Sequence, residues 1–287
     1  MKKYKIIQRL LIFFIGLPGV LSLVVFLPQY NHLALNIFIV FLSATGAVEF
    51  ALMLRNKGFP VYVFEAGILG SLSAAAATLI VSFDTNEQIT QFLFIIGASW
   101  VLVSEIFYHK ARTDFSLVLS RLSSAFSVMI YPGLFLSWII TMSTLQHSTV
   151  VILTFILTVM ANDSLAWVTG MLFGKNNRGI FSVSPNKSIA GYVGGMAASI
   201  GICIIMAYTV PNAFIPDHIN KLPSVILLGF FSGITVIMGD LAESAIKRSS
   251  GFKDSGRLFP GRGGVLDSTD SVALTAPLFY VLYRFFF

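Results

Sequence analysis

The chain has 287 residues, 56% of them hydrophobic and only 11% charged, with a mean hydropathy of +0.83 and a formal net charge of +6. Soluble domains carry about 25% charged residues, so a water-soluble fold has too little charge here to cover its core, and an all-α polytopic membrane protein is the class that fits. The length suits one integral membrane domain over residues 1–287, with N-terminal helices in 1–145 and a second set of helices and loops in 146–287, and leaves no room for a separate soluble domain.

The positive charge sits in short loops between apolar runs, which a bilayer explains better than a nucleic acid does. The N-terminal tail is basic and leads into an apolar run with no small-residue cleavage site, so the first span is expected to be retained. A spanning helix needs about 20 mostly apolar residues. Nine segments are expected to meet this: 10–27, 32–54, 60–82, 89–108, 117–145, 148–173, 189–210, 222–246 and 271–286. The fifth carries Tyr131, Pro132 and Gly133, which predicts a kink or break. Cys203 is the single cysteine. It lies inside the seventh segment, so no intrachain disulfide or cysteine metal site forms, and it reads as a small buried apolar side chain.

Orientation follows from the flanking Lys and Arg residues. Seventeen of the nineteen fall in the N-terminal tail and the connections 2–3, 4–5, 6–7 and 8–9, and only Lys221 and Arg284 remain for the other side. This predicts a cytoplasmic N-terminus and, with nine spans, a C-terminus outside.

Residues 239–270 hold an outsized share of the charge: Asp240, Glu243, Asp254, Asp267 and Asp270, with Lys247, Arg248, Lys253, Arg257 and Arg262. Asp240, Glu243, Ser244 and Lys247 are spaced i, i+3, i+4, i+7 and share one helix face. Counting about 1.5 Å per residue from Leu222, Asp240 falls near the cytoplasmic boundary of the bilayer core. Asp267 and Asp270 stand at the same boundary, just before the ninth segment. In the sixth segment Asn162 and Asp163 lie inside the span, where a carboxylate is costly and usually faces a polar cavity. The loop that follows is rich in Gly, Ser and Lys, and such a loop offers N–H groups and ammonium charge to phosphates. A basin of aspartates ringed by Lys and Arg suggests Mg²⁺ and a phosphorylated substrate. The plainer alternative is juxtamembrane charge that only fixes topology.

Two blocks carry a family resemblance. The first is Ser244, Ile246, Lys247, Arg248, Lys253, Asp254 and Gly256, followed by Phe259, Pro260, Arg262, Gly263, Gly264, Val265, Asp267, Ser268, Thr269 and Asp270. The second is Asn162, Asp163, Ser164, Ala166 and Trp167, with Phe173, Gly174 and Lys175, then Ser184, Pro185, Lys187 and Ser188. Together, across about residues 160–270, they resemble the phosphatidate cytidylyltransferase (CDP-diacylglycerol synthase) family. The family pattern has His where this chain has Arg262, Arg where it has Ser268, and Glu where it has Ala190.

The resemblance implies transfer of CMP from CTP to phosphatidate, with CTP and the anionic lipid as partners and a second copy of the chain as a candidate partner. It implies one or two Mg²⁺ ions held by Asp240, Asp267 and Asp270, with a monovalent cation as a further candidate. Asp240, Asp267, Lys187 and Lys247 would be catalytic. Substrate binding would fall to Asn162, Asp163, Ser184, Lys187, Ser244, Lys247, Arg248, Lys253, Asp254 and Arg262. Open alternatives at this point are a CTP-dependent polyprenol kinase, a paralogue that binds lipid without catalysis, and a transporter lined by Asp163, Glu105 and Arg121.

Outside the motifs, Glu49, Glu65 and Glu105 read as interhelical hydrogen-bonding or boundary residues, and Arg121 as snorkelling to the cytoplasmic face. His32, His109, His147 and His218 read as solvated flank residues. Gly191, Gly194, Gly195, Ala197 and Ala198 read as a small-residue packing surface.

Overall fold

The computed structural model describes residues 15–108, 116–216, 220–259, 261 and 263–287. These form ten α-helices: α1 (Leu17–Phe26), α2 (Gln29–Asn56), α3 (Val63–Phe83), α4 (Ile89–Tyr108), α5 (Val118–Val128), α6 (Phe135–Thr141), α7 (Ser148–Phe173), α8 (Ile189–Thr209), α9 (Lys221–Ser250) and α10 (Leu266–Phe286). No strand occurs among the described residues, only two isolated antiparallel bridges, Arg178 with Ser188 and Phe259 with Gly263. A helix meets all its backbone hydrogen bonds internally, which apolar surroundings demand. Six stretches are long and apolar enough to cross a membrane: α2, α3, residues Val118–Thr144, α7, α8 and α9. α1 and the apolar stretch Ile89–Ser104 are shorter, and α10 falls outside that set. The chain is an all-helical, multi-pass membrane protein. His109 and His218 fall outside the described residues, as do Arg262 and the side chain of Glu105.

The chain divides into two compact units: residues up to Thr141 with Lys247–Ser268, and Met142–Ile246 with Thr269–Phe287.

In the first unit, small residues let helices close on one another. A Cβ on Gly70 would meet Ala47 Cβ at 2.3 Å, and one on Gly133 would meet the Gly70 carbonyl oxygen at 2.6 Å. The Ser43 hydroxyl lies 2.8 Å from that carbonyl and 2.5 Å from the Pro132 carbonyl. The expected break at Pro132 takes a milder form. Residues Met129–Leu134 make a π-helical turn between α5 and α6, a common way to absorb a missing N–H without ending a helix. At the start of α2, Tyr30, Asn31 and His32 have φ of 51°, 53° and 60°. Left-handed residues cannot continue a right-handed helix, so regular α2 begins after His32. His32 is buried rather than solvated, because that left-handed turn folds it inward. His147 is exposed, as expected.

Arg121 also departs from expectation. It is buried and does not snorkel: its guanidinium pairs with Glu65 at 2.9 Å and lies over the Tyr62 ring at 4.1 Å. Trp100 Nε1 donates to the other Glu65 oxygen at 2.8 Å. A carboxylate offered from α3 makes the inward position cheaper than reaching for the surface. Glu65 is thus the interhelical residue that it was read to be.

The second unit is built on α7 packed against α8. A Cβ on Gly191 would meet the Ala166 carbonyl oxygen at 2.8 Å, on Gly194 the Thr169 hydroxyl at 2.2 Å, and on Gly195 the Asn162 side-chain oxygen at 2.7 Å. The small-residue surface read from α8 is therefore a packing surface. Within lipid, such fit replaces the hydrophobic drive as the source of association. A column of rings fills the rest: Phe155 on Phe279 at 5.3 Å, Phe279 stacked on Tyr283 at 6.3 Å, and Phe214 edge-on to Tyr283 at 5.7 Å. The Tyr283 hydroxyl donates to the Ala213 carbonyl. Cys203 is buried in this unit, 3.5 Å from the Thr158 hydroxyl.

Candidate active site

The loop after α7 is folded onto the N-terminus of α8. Ser188 caps that helix, its hydroxyl accepting from the Gly191 N–H at 3.1 Å, as N-cap serines do. The Gly179 N–H donates to the Lys187 carbonyl and the Ile189 N–H to the Asn177 carbonyl, closing the loop like a small hairpin. Gly179 turns the corner with φ +84°. Gly174 is needed for a different reason: a Cβ there would sit 2.5 Å from the Ser188 hydroxyl. The result holds Lys187 one residue ahead of the Ser188 N-cap, where positive charge and free N–H groups favour anions.

Lys187 faces a cavity of about 480 Å³, within the size range of small-ligand sites. Asn162, Asp163, Arg178, Lys187 and Asp240 supply its polar lining, and Ala166, Trp167, Met171 and Ile237 its apolar lining. The Lys187 ammonium pairs with the Asp240 carboxylate, and both side chains stay about a third exposed, at 30% and 32%. Asn162 is fully buried and donates to the Ser199 hydroxyl at 2.8 Å, so it braces α7 against α8 while its side chain borders the cavity. Ser184 lies in the turn of the loop and does not line the cavity. Asp270 belongs to the same unit. It is buried, accepts from the Ser271 N–H at 2.6 Å, and its carbonyl oxygen would lie 2.7 Å from a Cβ on Gly239. Gly239 therefore brings the turn of α9 that carries Asp240 against the turn of α10 that carries Asp270.

The first unit holds Lys247, Arg248, Lys253, Asp254 and Asp267. α9 ends with Lys247 and Arg248 in its last turn, where the helix dipole favours cations. Gly251, at φ +79°, then reverses the chain, with the Phe252 N–H donating to the Lys247 carbonyl. Phe259 and Gly263 exchange both backbone hydrogen bonds across a tight turn. Arg248, Lys253 and Asp254 are exposed, and Ser244, on α9 in the second unit, is half-buried.

Asp267 is the centre of this loop. One carboxylate oxygen accepts from the Lys247 ammonium at 2.6 Å. The other accepts from the Ser255 N–H at 2.7 Å and the Gly264 N–H at 2.7 Å, and lies 2.9 Å from the Ser255 hydroxyl. Burial alone would raise the Asp267 pKa. The Lys247 hydrogen bond and charge, with the Gly264 and Ser255 N–H groups, outweigh it and hold the group below the usual carboxylate value. Gly263 is at φ +120°, and a Cβ there would fall 2.3 Å from the Asp267 carboxylate.

The motif residues thus gather as two sets: Asn162, Asp163, Lys187 and Asp240 around the cavity, and Lys247 with Asp267 in the loop. Among the described residues, no three His, Cys, Asp or Glu side chains stand close enough together to hold a metal ion. Two contributors, Arg178 and Ser255, were not singled out from sequence, and Ser188 was named in its motif without its capping role. Arg178 counted there only as topological charge, although its place beside the Gly179 corner marks it as loop-anchored. Ser188 announces itself by the serine three residues before Gly191 that a helix start prefers. Ser255 carries no local signal.

The model of the cytidylyltransferase family matches residues 7–286. A phosphatidate cytidylyltransferase of Staphylococcus epidermidis is 30% identical over 273 residues, covering 93% of this chain and 96% of that protein. Proteins of the same name from Staphylococcus aureus and Staphylococcus haemolyticus are each 29% identical, with the same coverage.

Proposed function

The chain belongs to the cytidylyltransferase family, and from that premise we propose that it transfers CMP from CTP to phosphatidate, giving CDP-diacylglycerol and pyrophosphate. The observation that carries this reading is the Lys187–Asp240 pair in a cavity with one polar and one apolar lining. A phosphorylated lipid brings both surfaces. Its headgroup suits Lys187 and Arg178, and its acyl chains suit Trp167 and Met171.

An oxygen of the phosphatidate phosphate attacks the α-phosphorus of CTP. The new P–O bond forms as the bond from that phosphorus to the bridging oxygen of the β-phosphate breaks, and pyrophosphate leaves. The attacking phosphate is already ionised at neutral pH, so no side chain has to remove a proton. The obstacle is repulsion between two polyanions. Lys187, held at the start of α8, and Arg178 meet it with fixed positive charge. Lys247, Arg248 and Lys253 offer the same from the loop of the first unit, and Asn162 keeps α7 in register with α8 in the second.

The carboxylates suit a hard divalent cation, which takes oxygen ligands. Asp240 fits best. It is a third exposed to the cavity and already holds an ammonium that a doubly charged ion can replace. Asp270, on the α10 turn against which Gly239 packs, would be a second oxygen donor, whereas both oxygens of Asp267 are engaged by Lys247, Ser255 and Gly264. Magnesium held there would supply charge neutralisation for the phosphate oxygens.

The charge asymmetry of the loops supports nine spans in one integral membrane domain, a cytoplasmic N-terminus and a site open to the cytosol at a bacterial inner membrane. The decisive assay uses purified chain in detergent with CTP labelled in its cytidine, phosphatidate and Mg²⁺. CDP-lipid and pyrophosphate are the expected products. Release of CDP with a newly phosphorylated lipid would mean a kinase instead, and neither product would end the proposal.

A further inference from the structure

Glu49 lies about two turns before the end of the chain's first long helix, outside every motif, yet it enters the motif loop of its unit. α2 buries its carboxylate to 8% exposure. One oxygen accepts from the Val265 N–H at 3.0 Å. The other accepts from the Leu266 N–H at 3.0 Å and lies 2.9 Å from the Ser255 hydroxyl. Val265 and Leu266 open α10, where N–H groups lack intrahelical acceptors and a negative charge is favoured. Two motif glycines make the room. A Cβ on Gly256 would stand 2.1 Å from one Glu49 oxygen, and one on Gly264 would stand 2.3 Å from the other.

Ser255 joins this acid to Asp267. Its hydroxyl is 2.9 Å from each carboxylate, its N–H donates to Asp267, and the Asp267 N–H donates back to the hydroxyl at 3.2 Å. A hydroxyl has one proton to give, so the two acids are tied through a single side chain. We propose that Glu49 is a positioning residue for the transfer reaction: acting through Ser255 and the first N–H groups of α10, it fixes where Asp267 and Lys247 stand. The inference rests on the function proposed above. Displacement of a reacting group by about 1 Å costs on the order of 10²-fold in rate.

Glu49→Gln keeps the shape but leaves one good acceptor for three donors. Full-length wild type, E49Q, S255A and the double variant are compared in one CDP-lipid assay, with hydrogen–deuterium exchange on the same samples. E49Q is expected to lower kcat by about 30-fold or more, with KM for CTP and phosphatidate within about threefold. Exchange should quicken at Val265 and Leu266, and also at Ser255, whose N–H Asp267 holds. Because both residues act on one target, the double variant should lose no more than about threefold beyond the worse single. An E49Q kcat within threefold of wild type overturns the inference, as does a double-variant loss equal to the product of the two. If E49Q does not fold, S255A decides, and a wild-type kcat there overturns the inference. Failure of both to fold assigns Glu49 to the fold alone and also overturns it. An inactive wild type sinks the proposed function and this inference with it, whereas an active wild type with an unaffected E49Q sinks this inference alone.

Discussion

Two lysine–aspartate pairs show how differently one chemistry is housed. Lys187 and Asp240 are about a third exposed, border a cavity, and come from a loop and a helix face. Lys247 and Asp267 are 16% and 6% exposed, and Asp267 takes further donors from Ser255 and Gly264. The open pair can trade partners for a ligand at small cost, because water and the cavity cushion each charge. The closed pair is held by its surroundings, and removing one member strands the other. On the proposed function, exchange would fall to the first pair and placement to the second.

Substitution at the two aspartates is the strongest way to break that contrast. Asp240→Asn and Asp267→Asn should each lower kcat for CDP-lipid formation by at least about 10²-fold. Their stabilities should part. D240N should melt close to wild type in detergent, while D267N should lose on the order of 1–3 kcal/mol for its stranded donors. Equal melting behaviour would erase the distinction. Lys187→Ala should act mainly on binding, raising KM for CTP about tenfold with a smaller change in kcat, and a pure kcat effect would count against partner exchange.

A smaller effect tests the scaffold under the open pair. Gly195→Ala puts a methyl group 2.7 Å from the Asn162 oxygen and should cost about 1–3 kcal/mol of thermal stability by overpacking. The smallest is a pH effect on the closed pair. Asp267 titrates below its ordinary value of 3.8 in the folded chain. Its stabilising contribution is therefore complete above that value and fades as pH falls through the folded pKa. Melting followed down from pH 5 should show a steeper acid decline in wild type than in D267N.

Much of this was legible in the sequence because bilayer-sized apolar runs and small-residue stripes are local signals. The segments 32–54, 60–82, 148–173 and 189–210 fall on α2, α3, α7 and α8 to within three residues at each end. The stripe at Gly191, Gly194 and Gly195 packs as read. Pro132 advertised a disturbance, but not that a π turn would carry the helix through it. Arg121 turns inward because Glu65, on another helix, receives it, and His32 because of the left-handed turn that carries it, and neither is visible in the apolar pattern around it. The motif named Lys187 and Asp267 without saying what each would hold. Glu49 meets Ser255 across 206 positions of sequence, and only folding brings that acid to the loop.

The sealed position of Cys203 has a practical consequence. The chain's sole thiol packs out of reach beside Thr158, so water-soluble maleimides should pass it by. Single cysteines placed at exposed Lys175 or Lys253 and at exposed Asn220 can then be labelled from either face of intact vesicles without first building a thiol-free background. Protection of the first two and modification of Asn220 from outside would map the two faces of the molecule directly.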